Sequence, residues 1–250
     1  LDLYANVRPA KSIPSNISRK DIDLVIIREN TEGLYVKDEQ AFNEGTDDEY
    51  VISKRKISKK GSERIIRYAF EFAKRHNRKN VTLLHKSNVI RMGDSLFRTT
   101  GERISKEYPE INYNQLLADA ATMHLVKDPE NFDVIVATNL IGDLLSDGAA
   151  GLIGGMGLAP SGNIGKKYAL FEPVHGSAPD IDGMEISNPI ATILSAKMML
   201  EHLGEQKYAD IIGKAVYESI EQNNVTKDLG GSLNTTQATD TIIKNVKGML

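Results

Sequence analysis

Three short runs dense in β-branched and aliphatic residues, DLVIIREN (23–30), VTLLHKSNV (81–89) and FDVIVATNL (132–140), alternate with stretches whose apolar residues recur at helical spacing. Each run holds a continuous apolar segment that gives way to polar residues, the pattern of a strand covered on both faces. GSERIIRYAFEFAKRHN (61–77) lies between the first two and sets Ile65, Ile66, Ala69, Phe70 and Phe72 on one side of a helix. DSLFRTTGERISKEYP (94–109) predicts a helix stopped by Pro109, and the third run leads into another helix opened by GDLLSDGAAGLIGG. Such alternation predicts an α/β fold with a largely parallel central sheet.

Two segments depart from that rhythm. DEQAFNEGTDDEYVISKRKISKK (38–60) is an acidic turn followed by polar–apolar alternation. It fits an exposed hairpin or arm that pairs with a second subunit, and equally a solvated charged loop. The glycine-rich GLIGGMGLAPSGNIG (151–165) reads as a seam between two lobes. Beyond it, NPIATILSAKMMLEHLG (188–204) and a stretch from about 206 to 222 predict two more helices, with Met198 and Met199 as core filler in the first.

Charge and cysteine count narrow the partners. A net charge of −3 argues against nucleic acid or an anionic membrane, which require a clustered basic face. The absence of cysteine excludes disulfides, thiolate metal sites and a cysteine nucleophile. No apolar run is long enough to cross a bilayer, and an intracellular, cytoplasmic setting is expected, with the mitochondrial matrix as the other compartment. Leu1-Asp2-Leu3-Tyr4 reads like the middle of a structure, so the chain is expected to lack an N-terminal portion.

The chemistry concentrates in TNLIGDLLSDGAAG (138–151), an apolar run carrying Asp143 and Asp147 with no lysine or arginine beside them in sequence. At i and i+4 on a helix the two carboxylates share a face and repel unless a cation lies between them. Oxygen-only ligands favour Mg²⁺ or Mn²⁺. The competing reading makes Asp143 a helix N-cap and Asp147 a solvated carboxylate. Asp119, in QLLADAATMHLV, is a third carboxylate in apolar surroundings and would complete a three-carboxylate site. Lys86, after an apolar strand, fits a general base if it lies desolvated beside a metal, or a lysine reaching to solvent. Tyr35, a phenol after a strand, fits packing with a satisfied hydroxyl, and Arg8 and Arg28 fit substrate carboxylates or surface acids. PVHGSAPD (173–180) suits a loop around a nucleotide, yet there is no GxGxxG fingerprint, P-loop, GxSxG elbow or HExxH. His175, Ser177 and Asp180 are too crowded to form a triad.

RENTEGLY, HKSNVIRMGDSLF, NLIGDLLSDGAAGLIGGMGLAPSGNIG and FEPVHGSAPDIDG, in that order, resemble the β-decarboxylating dehydrogenases. These act on isocitrate, homoisocitrate or 3-isopropylmalate. RENTEGLY is similar to the isocitrate and homoisocitrate branches rather than to the RELTGG of isopropylmalate enzymes. The resemblance covers essentially the whole chain and implies a two-lobed isocitrate/isopropylmalate dehydrogenase-like α/β fold. Residues 1–153 would form the dimer-forming lobe that binds metal and substrate, and 154–250 the C-terminal part of the nucleotide lobe. It implies Asp143 and Asp147 as ligands of Mg²⁺ or Mn²⁺, joined by Asp119 from the second subunit. It implies Lys86, also given across the dimer, as the base and Tyr35 as the acid that protonates the enol. Arg8 and Arg28 would hold substrate carboxylates, with Asn88 near nicotinamide and substrate. His175, Gly176, Ser177 and Ala178 would surround the adenosine, with Asn188 beside the adenine and Asp228 lining the same pocket. NADP-specific members carry lysine and tyrosine where this chain has Asp180 and Ile181. A carboxylate at 180 accepts from a ribose 2′-hydroxyl and repels a 2′-phosphate, which implies NAD. The expected activity is oxidative decarboxylation of a 2-hydroxy acid of the homoisocitrate or isocitrate type by a homodimer, or a tetramer of such dimers. 3-Isopropylmalate is the runner-up substrate, and a truncated or regulatory nucleotide-binding subunit the reading of another class. The family's first strand, its GDGIGPE-type turn and a selectivity helix are expected to precede Leu1.

Overall fold

A computed structural model describes residues 1–250. Along the chain the strands are β1 (Ala5–Lys11), β2 (Asp23–Glu29), β3 (Gly33–Phe42), β4 (Tyr50–Lys56), β5 (Asn80–His85), β6 (Asn112–Leu117), β7 (Val134–Ala137), β8 (Pro160–Ile164) and β9 (Ala169–Pro173). The helices are α1 (Lys59–Arg75), α2 (Gly93–Ser105), α3 (Ala118–Lys127), α4 (Asn139–Leu152), α5 (Ile190–His202), α6 (Gln206–Glu221) and α7 (Thr235–Met249). Seven strands form one sheet in the order β6-β5-β7-β2-β1-β8-β9. From β6 to β2 the pairing is parallel. From β2 to β9 it is antiparallel, so the expectation of a largely parallel sheet holds for one half only. The reason lies in the connections. Helices carry the chain between the parallel strands, whereas β1–β2 and β8–β9 are joined by loops that permit only antiparallel neighbours.

Both faces of the sheet are covered, which explains the unbroken apolar runs. Leu24 and Ile26 of β2 point into a core with Leu145 and Ala149 of α4, Leu125 of α3 and Val216 of α6. Val25 and Ile27 point the other way, into a core with Ile65, Ile66 and Phe70 of α1 and Phe97 and Ile104 of α2. Several boundaries differ from the sequence reading. β5 stops at His85 because Val89 and Ile90 turn back to donate to the Lys86 carbonyl, at 3.0 and 2.8 Å. β7 stops at Ala137 because Asn139 already belongs to α4. α2 ends at Ser105, where tight turns precede Pro109.

Most of the 38–60 stretch is a hairpin rather than a solvated loop, one that begins earlier, at Gly33, and ends at Lys56, while Lys59 and Lys60 open α1. β3 and β4 form a separate two-stranded ladder whose Phe42 and Tyr50 rings stack at 4.9 Å. Of the methionine pair, Met198 packs against the core, while Met199 is 40% exposed and does not fill it. The 153/154 boundary falls in a turn after α4, where Gly154 and Gly155 have φ of +119° and +114°. The sheet continues across it, since β8 pairs with β1.

Candidate active site

α4 follows β7 directly, and its N-cap is Thr138. Asp143 therefore lies in the second turn, and the reading of Asp143 as an N-cap is set aside. The cations absent from its sequence neighbourhood arrive from the sheet. Arg8 Nη1 lies 3.1 Å from Asp143 Oδ1 and 3.2 Å from Asp147 Oδ1. Arg28 Nη1 pairs with the same Asp143 oxygen. Strand register explains the convergence. Asn6 opposes Arg28, and Arg8 opposes Ile26, so both arginines project from the face of the sheet on which α4 packs. Gly142 brings helix and strand into contact: a Cβ there would stand 2.8 Å from Arg28 Cβ and 3.2 Å from its Cα.

Residues beyond those picked out from the sequence hold the arginines in place. Asn139 Oδ1 accepts from Arg28 Nε at 2.9 Å and Nη2 at 2.7 Å. Ser146 Oγ accepts from Arg8 Nη1 at 2.7 Å, and Asn6 Oδ1 from Arg8 Nε at 2.6 Å. Asn6 in turn donates to Asn163 Oδ1 at 2.8 Å, and Asn163 donates to Glu172 Oε1 at 2.8 Å. A line of buried amides thus runs from Arg8 across β1 and β8 to β9. The available signal was weak: Ser146 lies one turn from Asp143 on the same helix, while nothing in the sequence marked the asparagines.

Tyr35, just inside β3, donates its hydroxyl to Asp143 Oδ2, and Arg28 lies over its ring at 5.0 Å. That hydrogen bond is the main reason the phenol is held above its ordinary pKa. Burial pulls Arg8 below the usual guanidinium value, helped by the Arg28 charge beside it. Four expected residues therefore meet: Arg8, Arg28, Tyr35 and Asp143, with Asp147 on the solvent side.

Lys86 and Asp119 meet each other instead, Nζ to Oδ1 at 2.7 Å. They follow β5 and β6, neighbouring parallel strands in which His85 opposes Leu117, so both lie at carboxyl ends. The hydrogen bond from Lys86 holds Asp119 below the ordinary carboxylate range. No third carboxylate or histidine of this chain joins Asp143 and Asp147. Asn88 is exposed in the turn after Lys86.

The expected nucleotide residues form two groups. His175, Gly176, Ser177, Ala178, Asp180 and Ile181 follow β9 in a loop that closes in a 3-10 turn at Pro179–Ile181; Gly176, Ser177, Ala178 and Asp180 are exposed, His175 and Ile181 are half-buried, and Ala178 is in the left-handed region at φ +45°. Asn188 and Asp228 pair separately, Nδ2 to Oδ2 at 2.9 Å, and a Cβ at Gly157 would stand 2.9 Å from Asn188 Cβ. No side-chain hydrogen bond joins the loop to this pair.

Whether α4 suits a divalent cation is testable on its own geometry. Arg8 Nη1 lies almost equidistant from Asp143 Oδ1 and Asp147 Oδ1, so the two carboxylates converge on one point that a positive group can occupy. The donors are hard oxygens and hydroxyl groups, the set that Mg²⁺ and Mn²⁺ take. The residues fit, with the remaining positions left to water, substrate and a further carboxylate.

The chain has relatives among known proteins. The sequence profile of the isocitrate/isopropylmalate dehydrogenases matches residues 1–246. An isocitrate/homoisocitrate dehydrogenase of Thermus thermophilus is 51% identical over 249 residues, which cover 100% of this chain and 73% of that protein. A 3-isopropylmalate dehydrogenase of Archaeoglobus fulgidus is 51% identical over 236 residues, covering 94% and 71%. The NAD isocitrate dehydrogenase subunit alpha of Macaca fascicularis mitochondria is 44% identical over 251 residues, covering 99% and 71%. The crystal structure of isocitrate dehydrogenase from Methylococcus capsulatus superposes with a TM-score of 0.94 at 49% identity, covering 98% of this chain and 74% of the other.

Proposed function

The chain belongs to the isocitrate/isopropylmalate dehydrogenase family, and from that premise we propose that it carries out NAD-linked, divalent-metal-dependent oxidative decarboxylation of a homoisocitrate- or isocitrate-type 2-hydroxy acid. The observation that carries the proposal is the meeting of Arg8, Arg28 and Tyr35 at Asp143, one turn from Asp147. A substrate with several carboxylates needs fixed guanidinium groups, and these two lie beside the carboxylates suited to a metal.

In this reading Arg8 and Arg28 turn to the substrate carboxylates, held at the correct angle by Asn6, Ser146 and Asn139. Asp143 and Asp147 would hold Mg²⁺ or Mn²⁺, which would supply Lewis acidity to the reacting end of the substrate. Lys86 of a second copy takes the hydroxyl proton, and Asp119 of that copy adds a carboxylate to the site. A bound nicotinamide would accept the hydride, and Tyr35 delivers a proton to the carbon from which the β-carboxylate has left as CO₂. The homodimer of this scheme shares both sites, its β3–β4 hairpin offering exposed Tyr50, Val51 and Ile52 to the partner. Residues 175–181 with Asn188 and Asp228 would take the nucleotide, Asp180 favouring NAD over NADP. The division into lobes at 153/154 belongs to the same reading.

3-Isopropylmalate is the second substrate reading, favoured by the Archaeoglobus fulgidus relative. NADH formation at 340 nm with Mg²⁺ tests all three acids at equal concentration. Turnover fastest with homoisocitrate or isocitrate is expected. A faster rate with 3-isopropylmalate would hand the assignment to the second reading, and a folded protein silent with all three would reject the catalytic one.

A further inference from the structure

Arg55 and Asp94 form a deeply buried ion pair that the scheme above leaves without a task. Asp94 is completely buried in the first turn of α2, and the Arg55 side chain, from β4, is 15% exposed. Arg55 Nη1 lies 2.5 Å from Asp94 Oδ1. The second carboxylate oxygen accepts the backbone N–H of Lys86 at 2.5 Å. The second guanidinium arm donates to Thr138 Oγ1 at 2.9 Å, and Thr138 is the buried N-cap of α4.

Two side chains therefore join four elements: the turn that carries Lys86, the amino end of the helix that carries Asp143 and Asp147, the exposed hairpin that carries Arg55, and α2, which carries Asp94. A planar guanidinium with both arms engaged has little freedom to rotate, and a buried carboxylate cannot exchange its partners for water. We propose that Arg55 and Asp94 are positioning residues that fix the Lys86 backbone and the first turn of α4 relative to each other. The proposal rests on the functional reading above. There, Lys86 serves one site and the α4 carboxylates serve the other, so the pair also links the two sites of a dimer through a single chain.

Asp94→Asn and Arg55→Lys test this in the full chain. Asn removes the charge at nearly constant shape, and Lys keeps the charge while losing the arm to Thr138. Exchange of the Lys86 amide is read by hydrogen-exchange NMR, alongside kcat, KM, the Mn²⁺ dissociation constant and Tm. In Asp94→Asn the Lys86 amide is expected to exchange at least about tenfold faster while Val81–Leu84 amides are unchanged, because its acceptor is weakened. The kcat is expected to fall by roughly 10–100-fold, the cost of about an ångström of misplacement. KM and Mn²⁺ affinity are expected to stay within about threefold, since Arg8, Arg28, Asp143 and Asp147 keep their partners. Arg55→Lys is expected to lower kcat less and to leave the Lys86 amide protected. If Asp94→Asn does not fold, Arg55→Lys decides through the same split between kcat and KM. An unchanged Lys86 amide in folded Asp94→Asn, or kcat and KM moving only in step with Tm, overturns the proposal. Wild-type protein silent with all three acids rejects the functional reading instead, and the exchange comparison then decides whether Asp94 fixes Lys86.

Discussion

Arg8, Arg28 and Tyr35 all reach Asp143, which accepts the phenol hydrogen bond and balances the two guanidinium groups together with Asp147. Asp143→Asn is expected to lower turnover on the order of 10²–10³-fold, the range for removing one preorganised group that meets transition-state charge. Mn²⁺ binding, followed by the electron paramagnetic resonance of the free ion, is expected to weaken in parallel while circular dichroism stays unchanged. An Asp143→Asn protein with near-normal turnover and Mn²⁺ affinity would remove Asp143 from the metal site. The carboxylate pair was visible in the sequence because charge inside an apolar run demands a reason. Its counter-charges were not visible as such, since Arg8 and Arg28 lie 135 and 115 positions away and meet α4 only through strand register. Each arginine taken alone was as compatible with a surface acid.

Helix α4 is held against β2 by the absence of a side chain at 142, and that close approach lets Arg28 reach one turn along the helix to Asp143. Gly142→Ala would drive a methyl group into Arg28, and overpacking of that kind costs about 1–3 kcal/mol. For a chain of this size each kcal/mol lowers Tm by roughly 2–4 °C. Calorimetry is expected to find that drop, and kinetics a loss in kcat as the carboxylates move off the arginines. A Gly142→Ala protein with unchanged Tm and kcat would show that helix and strand have room between them. Elements with strong periodicity were legible: β2, α1 and α6 lie close to their expected places. β8 was not, because PSGNI has poor strand formers, yet all five residues are buried between β1 and β9, so tertiary packing outweighs local preference. α7 escaped notice because only Ala238 and Ile242 of its residues are fully buried, and what marks its start is the Asn234–Gln237 capping box.

At the scale of the molecule, acid and assembly each probe a different part of the design. Burial of His85, and for the more open His76 the desolvation of its ring stacked on Phe72 with the Arg75 charge beside it, hold both below the ordinary imidazole value. The unfolded chain then binds protons on them more readily, so their contribution to stability is present above about pH 6.5 and is lost as pH falls below it. Tm is expected to decline between pH 7 and pH 5, and a His76→Gln/His85→Gln protein to decline less steeply; equal slopes would mean these imidazoles do not set the acid limit. Assembly decides where Lys86 acts. In one chain Lys86 is paired with Asp119, and no third carboxylate or histidine joins Asp143 and Asp147 to make a metal site. The proposed scheme completes the site with a second copy, Lys86 crossing to the neighbour's α4. Asp143→Asn spoils the receiving half of a chain and Lys86→Ala spoils the donating half, and each homodimer is expected to be inactive. When the two proteins are unfolded together and refolded at equal concentration, half of the dimers are mixed. In a mixed dimer one site combines both defects, while the other takes intact carboxylates from one chain and an intact lysine from its partner. Recovery of about a quarter of wild-type activity is therefore expected from a two-fold dimer with shared sites. A mixture as inactive as its components, with mixed dimers verified by native mass spectrometry, would place Lys86 and Asp143 of the same chain in the same site.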